Sequence, residues 1–221
     1  LGPGDSLSTA LIAKAFGASR TYLVDAADFA NRDVERYKMV CRYLEGQGHD
    51  ISSFSEFSTV DQMLEQSTCC YLTDGLASLK TIPDASVDFI WSQAVLEHVR
   101  KDIFFETICE LRRVLKDDGV CSHQVDLKDH LNSALNNLRF HEKIWEADFF
   151  AGSGFYTNRI RYVEMVKMFS QAGFEVKIGT VTSWNTLPTR RSSLVEPYRS
   201  MDEDTLLVSG FDVLLRVMGS K

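Results

Sequence analysis

The sequence predicts an alternating α/β domain built on a mostly parallel sheet. Short apolar runs recur between longer amphipathic ones, which is the rhythm of strand, helix, strand. Two of those runs end in an acid, "TYLVD" (21–25) and "CCYLTD" (69–74), as buried parallel strands that feed a ligand crevice do. The chain has 221 residues, 44% of them hydrophobic and 25% charged, enough to bury one full core.

The elements follow in order. "LGPGDS" (1–6) is a glycine turn running into a helix over Ser6 to Phe16, with Leu7, Leu11 and Ala15 on one face and Asp5 or Ser6 as its cap. "TYLVD" is the next strand, Arg32 to Leu44 a charged amphipathic helix stopped by "GQGHD", and 58–67 a short helix. "CCYLT" (69–73) and "VDFIWS" (87–92) are further strands. Phe104, Ile108, Leu111 and Leu115 recur at helical spacing, and "DDG" (117–119) turns the chain into a strand over "VCSHQVDL" (120–127). Residues 128–160 break the rhythm and read as an insertion that covers something. A helix over 161–172 and two strands, 174–182 and 205–217, end the chain as an antiparallel hairpin.

Composition narrows the function. A formal charge of −7 disfavours a polyanion-binding surface, so no nucleic-acid partner is expected. Five cysteines, with no Cys-x-x-Cys spacing and with Cys69 and Cys70 adjacent in an apolar run, read as buried thiols of a reducing, cytoplasmic compartment. No apolar stretch reaches membrane-spanning length.

The chemistry gathers at strand ends. A glycine turn lets the backbone approach a ligand and presents free helix N–H groups, although a lone Gly-x-Gly is more often only a tight turn. Here Asp25 ends the following strand, where an acid can take both ribose hydroxyls, and Asp74 can reach an adenine amino group. "SQAVLEHV" (92–99) brings small and polar residues to the same ends, and His98 and His123 are candidate bases or hydrogen-bonded structural histidines. "HQVDLKDH" (123–130) could offer His123, Asp126, Asp129 and His130 to a divalent metal. Its spacing fits no tight template, so a helix cap at Asp126 or Asp129 is preferred and no metal is expected. Between 136 and 161, Phe140, Trp145, Phe149, Phe150, Phe155 and Tyr156 read as a satellite core or as a substrate lid. In the lid reading Tyr156 and Arg159 face a polar acceptor.

"LGPGDS", "VDAAD", "TDG", "VDFIWSQAVLEHV" and "ELRRVLKDDGV", in this order, resemble the motifs of class I S-adenosylmethionine-dependent methyltransferases. "LRFHEKIWEADFFAGSGFYTNRIRYVEM" and "LVSGFDVLLR" further resemble a bacterial subgroup associated with surface-polysaccharide biosynthesis. The resemblance implies a Rossmann-like doubly wound sheet over 1–221 as one domain, with 128–160 inserted on the substrate side. It implies that Gly2, Pro3, Gly4, Asp5 and Ser6 wrap the amino-acid half of S-adenosylmethionine. Asp25 would hold the ribose, Asp74, Gly75 and Leu76 the adenine, and Gln93 and Ala94 the methionine and sulfonium region. Ser6 departs from the family, standing where many members carry a third glycine. The acid and strand that precede this turn in the family do not precede Leu1, so the sequence reads as an N-terminally truncated domain.

The implied reaction is a direct displacement toward a small-molecule or glycan hydroxyl, driven by positioning, with His123 ahead of His98 as base. Two alternatives stand beside it. A nicotinamide-dependent oxidoreductase would share the glycine-and-acid logic, but Leu7 occupies the place of its last glycine. A non-catalytic binding module would lose the cofactor contacts, yet Asp25 and Asp74 are both present.

Overall fold

The protein is described by a computed structural model over residues 1–219. It divides into two units, Leu1–Thr81 and Ile82–Lys221, and the 128–160 segment lies wholly in the second.

The first unit runs α1 (Ser8–Ala15), β1 (Thr21–Val24), α2 (Val34–Gly46), α3 (Val60–Gln66), β2 (Cys69–Leu72) and α4 (Gly75–Leu79). β1 and β2 pair in parallel from Thr21↔Cys69 to Val24↔Leu72. Leu7 and Leu11, Leu23, Met63, and Tyr37, Cys41 and Leu44 at helical spacing along α2 build its core. α2 starts two residues later than Arg32 because Asp33 takes the cap, its carboxylate accepting from the Glu35 N–H at 3.1 Å. α1 starts at Ser8 without a side-chain cap, in place of the expected cap at Asp5 or Ser6. The expectation of two buried thiols at 69–70 fails on geometry: successive strand residues face opposite sides. Cys69 is half-buried, its thiol pushed up to about 12 by burial, whereas Cys70 is exposed.

The second unit runs β3 (Val87–Gln93), α5 (Lys101–Val114), β4 (Leu115–Asp126), α6 (Glu142–Trp145), α7 (Asp148–Ala151), α8 (Tyr162–Gln171), β5 (Phe174–Ser183), α9 (Glu203–Leu207) and β6 (Val208–Val217). The sheet order is β3-β4-β6-β5. β3 and β4 are parallel and joined through α5, while β6 lies antiparallel between β4 and β5, as the expected hairpin finish requires. Both units are Rossmann-like α/β construction, parallel strands joined through helices, with an antiparallel end to the second sheet.

Two expectations are corrected here. "DDG" lies inside β4: between Val87↔Leu115 and Phe89↔Val120 the β3 partner advances two residues and β4 five, a bulge that absorbs the turn residues. The stretch from 205 begins as helix α9, because Asp202 caps it by accepting from the Thr205 N–H at 3.1 Å. One face of the sheet is buried through Ile90, Ser92, Cys121, His123, Val213 and Leu215, over which α5 and α8 meet through Phe104 and Phe169. Among the described residues no helix is long and apolar enough to cross a membrane.

Candidate active site

In the first unit the glycine turn is built around Asp25. Gly2 and Gly4 both have positive φ, 57° and 63°, which only glycine adopts without strain. The Gly2 N–H donates to Val24 O at 2.8 Å, and the Gly4 N–H to Asp25 Oδ2 at 2.9 Å. Asp25 Oδ1 accepts from the Ala26 N–H at 2.7 Å. A carboxylate has about four lone-pair sites, so Asp25 retains acceptor capacity while it shapes the loop. No atom lies within 4 Å of the point where a Cβ on Gly4 would stand, so the backbone there borders open space. Pro3 is half-buried, and Asp5 and Ser6 are exposed.

The end of β2 meets the end of β1 through the same residue: the Gly75 N–H donates to Asp25 O at 2.8 Å, with Gly75 at φ 51°. Asp74 precedes α4 with an exposed side chain that does not cap it, and Leu76 is half-buried. The residues expected to hold ribose and adenine, Asp25 and Asp74 to Leu76, therefore sit together at the carboxyl ends of β1 and β2.

In the second unit, Gln93 ends β3 and Ala94 follows it at φ 52°, a left-handed conformation rare for a residue with a Cβ. The Ala94 N–H donating to Gln124 O at 2.9 Å holds that turn against β4. Strained backbone of this kind collects at functional sites. Gln93, Ala94, Gln124, Asp126, Thr182 and Asp212 line an open groove of about 410 Å³ where β3 and β4 end and β6 begins. Lys128 also lines it and is ion-paired with Asp126 at 3.3 Å.

The two histidines differ sharply. His123 is 1% exposed, its Nδ1 bonded to Ser92 Oγ at 2.7 Å, and its Nε2 has no partner among the described residues. Burial pushes it down to about 3, so it is a neutral ring inside the sheet. His98 is half-buried in a single 3-10 turn, Leu96–His98, after β3. Its Nδ1 lies 2.7 Å from Tyr156 O. A carbonyl only accepts, so Nδ1 carries the hydrogen and the lone pair of neutral His98 stands on Nε2. Burial, and secondarily His130 edge-on at 4.7 Å, hold His98 below its ordinary value.

Glu97 was not singled out by the sequence reading. It is 1% exposed, with Oε1 accepting from the Asp126 N–H at 3.3 Å and Oε2 unpartnered among the described residues. Burial, reinforced by nearby Asp126, raises it to about 8. An acid inside the apolar run "VLEHV" was the available signal. Asn158 donates through Nδ2 to Leu96 O and Val99 O, each at 2.9 Å, and through its N–H to Glu97 O at 2.7 Å.

Tyr156 and Arg159 are placed inward, not open to an acceptor. Tyr156 is 2% exposed and donates to Glu146 Oε2 at 2.7 Å, while its oxygen accepts from the Lys101 N–H at 3.3 Å. Arg159 donates to Phe140 O at 2.8 Å and lies 5.7 Å from the Trp145 ring centroid and 5.5 Å from that of Tyr198. With Trp145 fully buried and donating to Thr157 O at 2.7 Å, this is the satellite core. Tyr156→Phe is expected to lower stability by about 1–3 kcal/mol in urea unfolding, because Glu146 and the Lys101 N–H lose a partner. The affinity for S-adenosylmethionine should be unchanged.

Asp129 closes a turn and not the start of an α-helix, in place of the expected cap: its Oδ1 accepts from the N–H groups of Leu131 and Asn132 and its Oδ2 from that of Asn136. Among the described residues no group of three or more His, Cys, Asp or Glu side chains is placed to hold a metal.

The methyltransferase domain family model matches residues 75–122, from the start of α4 into β4. No curated protein sequence matches the chain. Solved structures similar to it include an O-methyltransferase-like protein from Nostoc punctiforme, at 12% identity over 94% of this chain and 47% of that one, TM-score 0.45. The chain thus spans about half the length of that protein. A SAM-dependent methyltransferase from Archaeoglobus fulgidus is similar at 14% identity over 93% and 92%, TM-score 0.44. A Burkholderia thailandensis 1,6-didemethyltoxoflavin N1-methyltransferase with bound S-adenosylhomocysteine is similar at 12% identity over 96% and 76%, TM-score 0.41.

Proposed function

We propose that this protein transfers a methyl group from S-adenosylmethionine to a hydroxyl of a small-molecule or glycan acceptor. The observation that carries the reading is Asp25, whose main-chain carbonyl holds the Gly75 turn and whose carboxylate holds the Gly4 turn while keeping lone pairs free for two ribose hydroxyls. The family match over 75–122 supports it independently, since it covers the fourth and fifth of the resembling motifs.

S-adenosylmethionine supplies an electrophilic methyl on a sulfonium that leaves as a neutral thioether. The chain's own contribution is to bind, align and deprotonate. The motif resemblance assigns Gly2 to Ser6, Asp25 and Asp74 to Leu76 to holding the cofactor, and Gln93 and Ala94 to its methionine and sulfonium region. The groove beside Gln93 supports a hydroxylated acceptor: it offers amides, hydroxyls and carboxylates, and its one lysine is already paired with Asp126. An anionic acceptor would find no free cation among those lining groups. As the acceptor oxygen bonds to the methyl carbon, its proton passes to Nε2 of His98, the ring whose lone pair is set by Tyr156 O. His123 is the weaker choice, because a ring buried to 1% exposure would have to become a buried cation. Tyr156 and Arg159 act by fixing the 156–159 segment that holds His98. Five free thiols support a cytoplasmic location, and the subgroup resemblance supports a role in polysaccharide biosynthesis.

Calorimetry with S-adenosylmethionine, S-adenosylhomocysteine and NAD tests the reading. The two sulfur compounds should bind and NAD should not. Asp25→Ala should weaken cofactor binding by about 1.5–3 kcal/mol, roughly 10- to 150-fold, from two lost hydrogen bonds. Unchanged affinity in a folded variant would remove Asp25 from the site.

A further inference from the structure

We propose that Glu97 is the positioning residue for His98, its carboxyl fastening the His98 turn to the end of β4. The turn Leu96–His98 is held from two sides. On one side its main chain and the His98 ring are tied to the 156–158 segment, through Asn158 and Tyr156 O. On the other side Glu97 Oε1 accepts from the Asp126 N–H at the end of β4, at 3.3 Å. Asp126 also lines the groove, so that contact links the His98 turn to the groove wall. The proposal rests on the methyl-transfer reading for its kinetic consequence but not for its geometry.

A carboxyl buried to 1% exposure with one oxygen unpartnered is stable only when neutral. The charged and titratable groups around it are Asp126 with its partner Lys128 at the β4 end, His98 on its own turn, and His130 against His98. Asp126 opposes ionisation of Glu97, consistent with its rise to about 8. When Glu97 does ionise, a second negative charge enters beside Asp126, and the turn carrying His98 must move or take in water.

The test uses NMR of the His98 ring together with kinetics. In the wild type, the His98 ring resonances should show a second inflection near pH 8, beyond the ring's own titration. Glu97→Gln, which keeps the shape and the acceptor oxygen, should abolish that inflection. It should also keep methyl transfer at pH 7 within about threefold and remove the alkaline fall in rate. Glu97→Ala should lower kcat tenfold or more at every pH while the S-adenosylmethionine affinity stays within twofold. An inflection that persists in Glu97→Gln overturns the proposal, as does an unchanged alkaline limb. If the cofactor fails to bind at all, the methyl-transfer reading falls, and the spectrum still decides the role of Glu97.

Discussion

His98→Ala should cut methyl transfer by roughly 10²–10⁴-fold, the range spanned by a positioned general base. S-adenosylhomocysteine formation in the presence of acceptor measures it. The sign of the pH dependence follows from burial. Burial holds His98 below its ordinary value and favours the neutral ring, so the wild-type rate should hold level from pH 7 to below the point where an ordinary histidine protonates. Only below the lowered value should protonation of Nε2 remove the base and the rate fall. The alanine variant should lose that acid limb along with its rate. Cofactor affinity should be unchanged, because the contacts that hold His98, Tyr156 O and the His130 ring, lie within the second unit. His123→Ala is the comparison: it should lower stability through a cavity in the sheet while leaving the shape of the pH profile intact. The reverse outcome, with His123 controlling the acid limb, would exchange the two roles.

Much of the fold was readable because the runs that form β1, β2 and β3 are apolar and short. β1, β2 and β3 each fall within a residue or two of expectation. The misreadings share a cause, namely local signals that tertiary context outweighed or that stood beside stronger ones. "TLL" (205–207) is apolar enough for a strand, yet Asp202, with Glu203 and Asp204 in the first turn, makes it helix α9. "DDG" is a turn by composition, yet ladder pairing on either side carries it through β4 as a bulge. In the candidate site, Asp25 and the glycines were visible because their spacing has a mechanism. Tyr156 and Arg159 were given an acceptor because polar tips among aromatics suggest a lid. Their true partners, Glu146 and the Phe140 carbonyl, lie on connections whose geometry no periodicity encodes. Glu97 was passed over for a related reason: whether an acid in an apolar run is buried depends on the neighbour its turn packs against.

Glu97→Gln should stabilise the protein at alkaline pH, and the size of the effect is set by linkage. The Glu97 carboxyl rises from an ordinary 4.5 to about 8 in the folded state. Between those values the folded chain holds a proton that the unfolded chain has released, so stability falls as pH rises through the window. Each unit corresponds to 1.36 kcal/mol, giving roughly 4–5 kcal/mol lost by pH 8 and above relative to an isostere that cannot ionise. At pH 4, below the unfolded value, the two proteins should differ by no more than about 1 kcal/mol, the scale of an ordinary hydrogen-bond exchange. His123 works in the opposite direction: held down to about 3, it withdraws stability as pH falls below 6.5. That contribution is common to both proteins and cancels in their difference. Urea unfolding at half-unit steps from pH 4 to pH 9 should therefore show a gap that opens upward from pH 4.5 and levels near pH 8. A gap independent of pH would mean that Glu97 ionises normally in the folded state, with water reaching Oε2, and that the His98 turn is looser than its hydrogen bonds indicate.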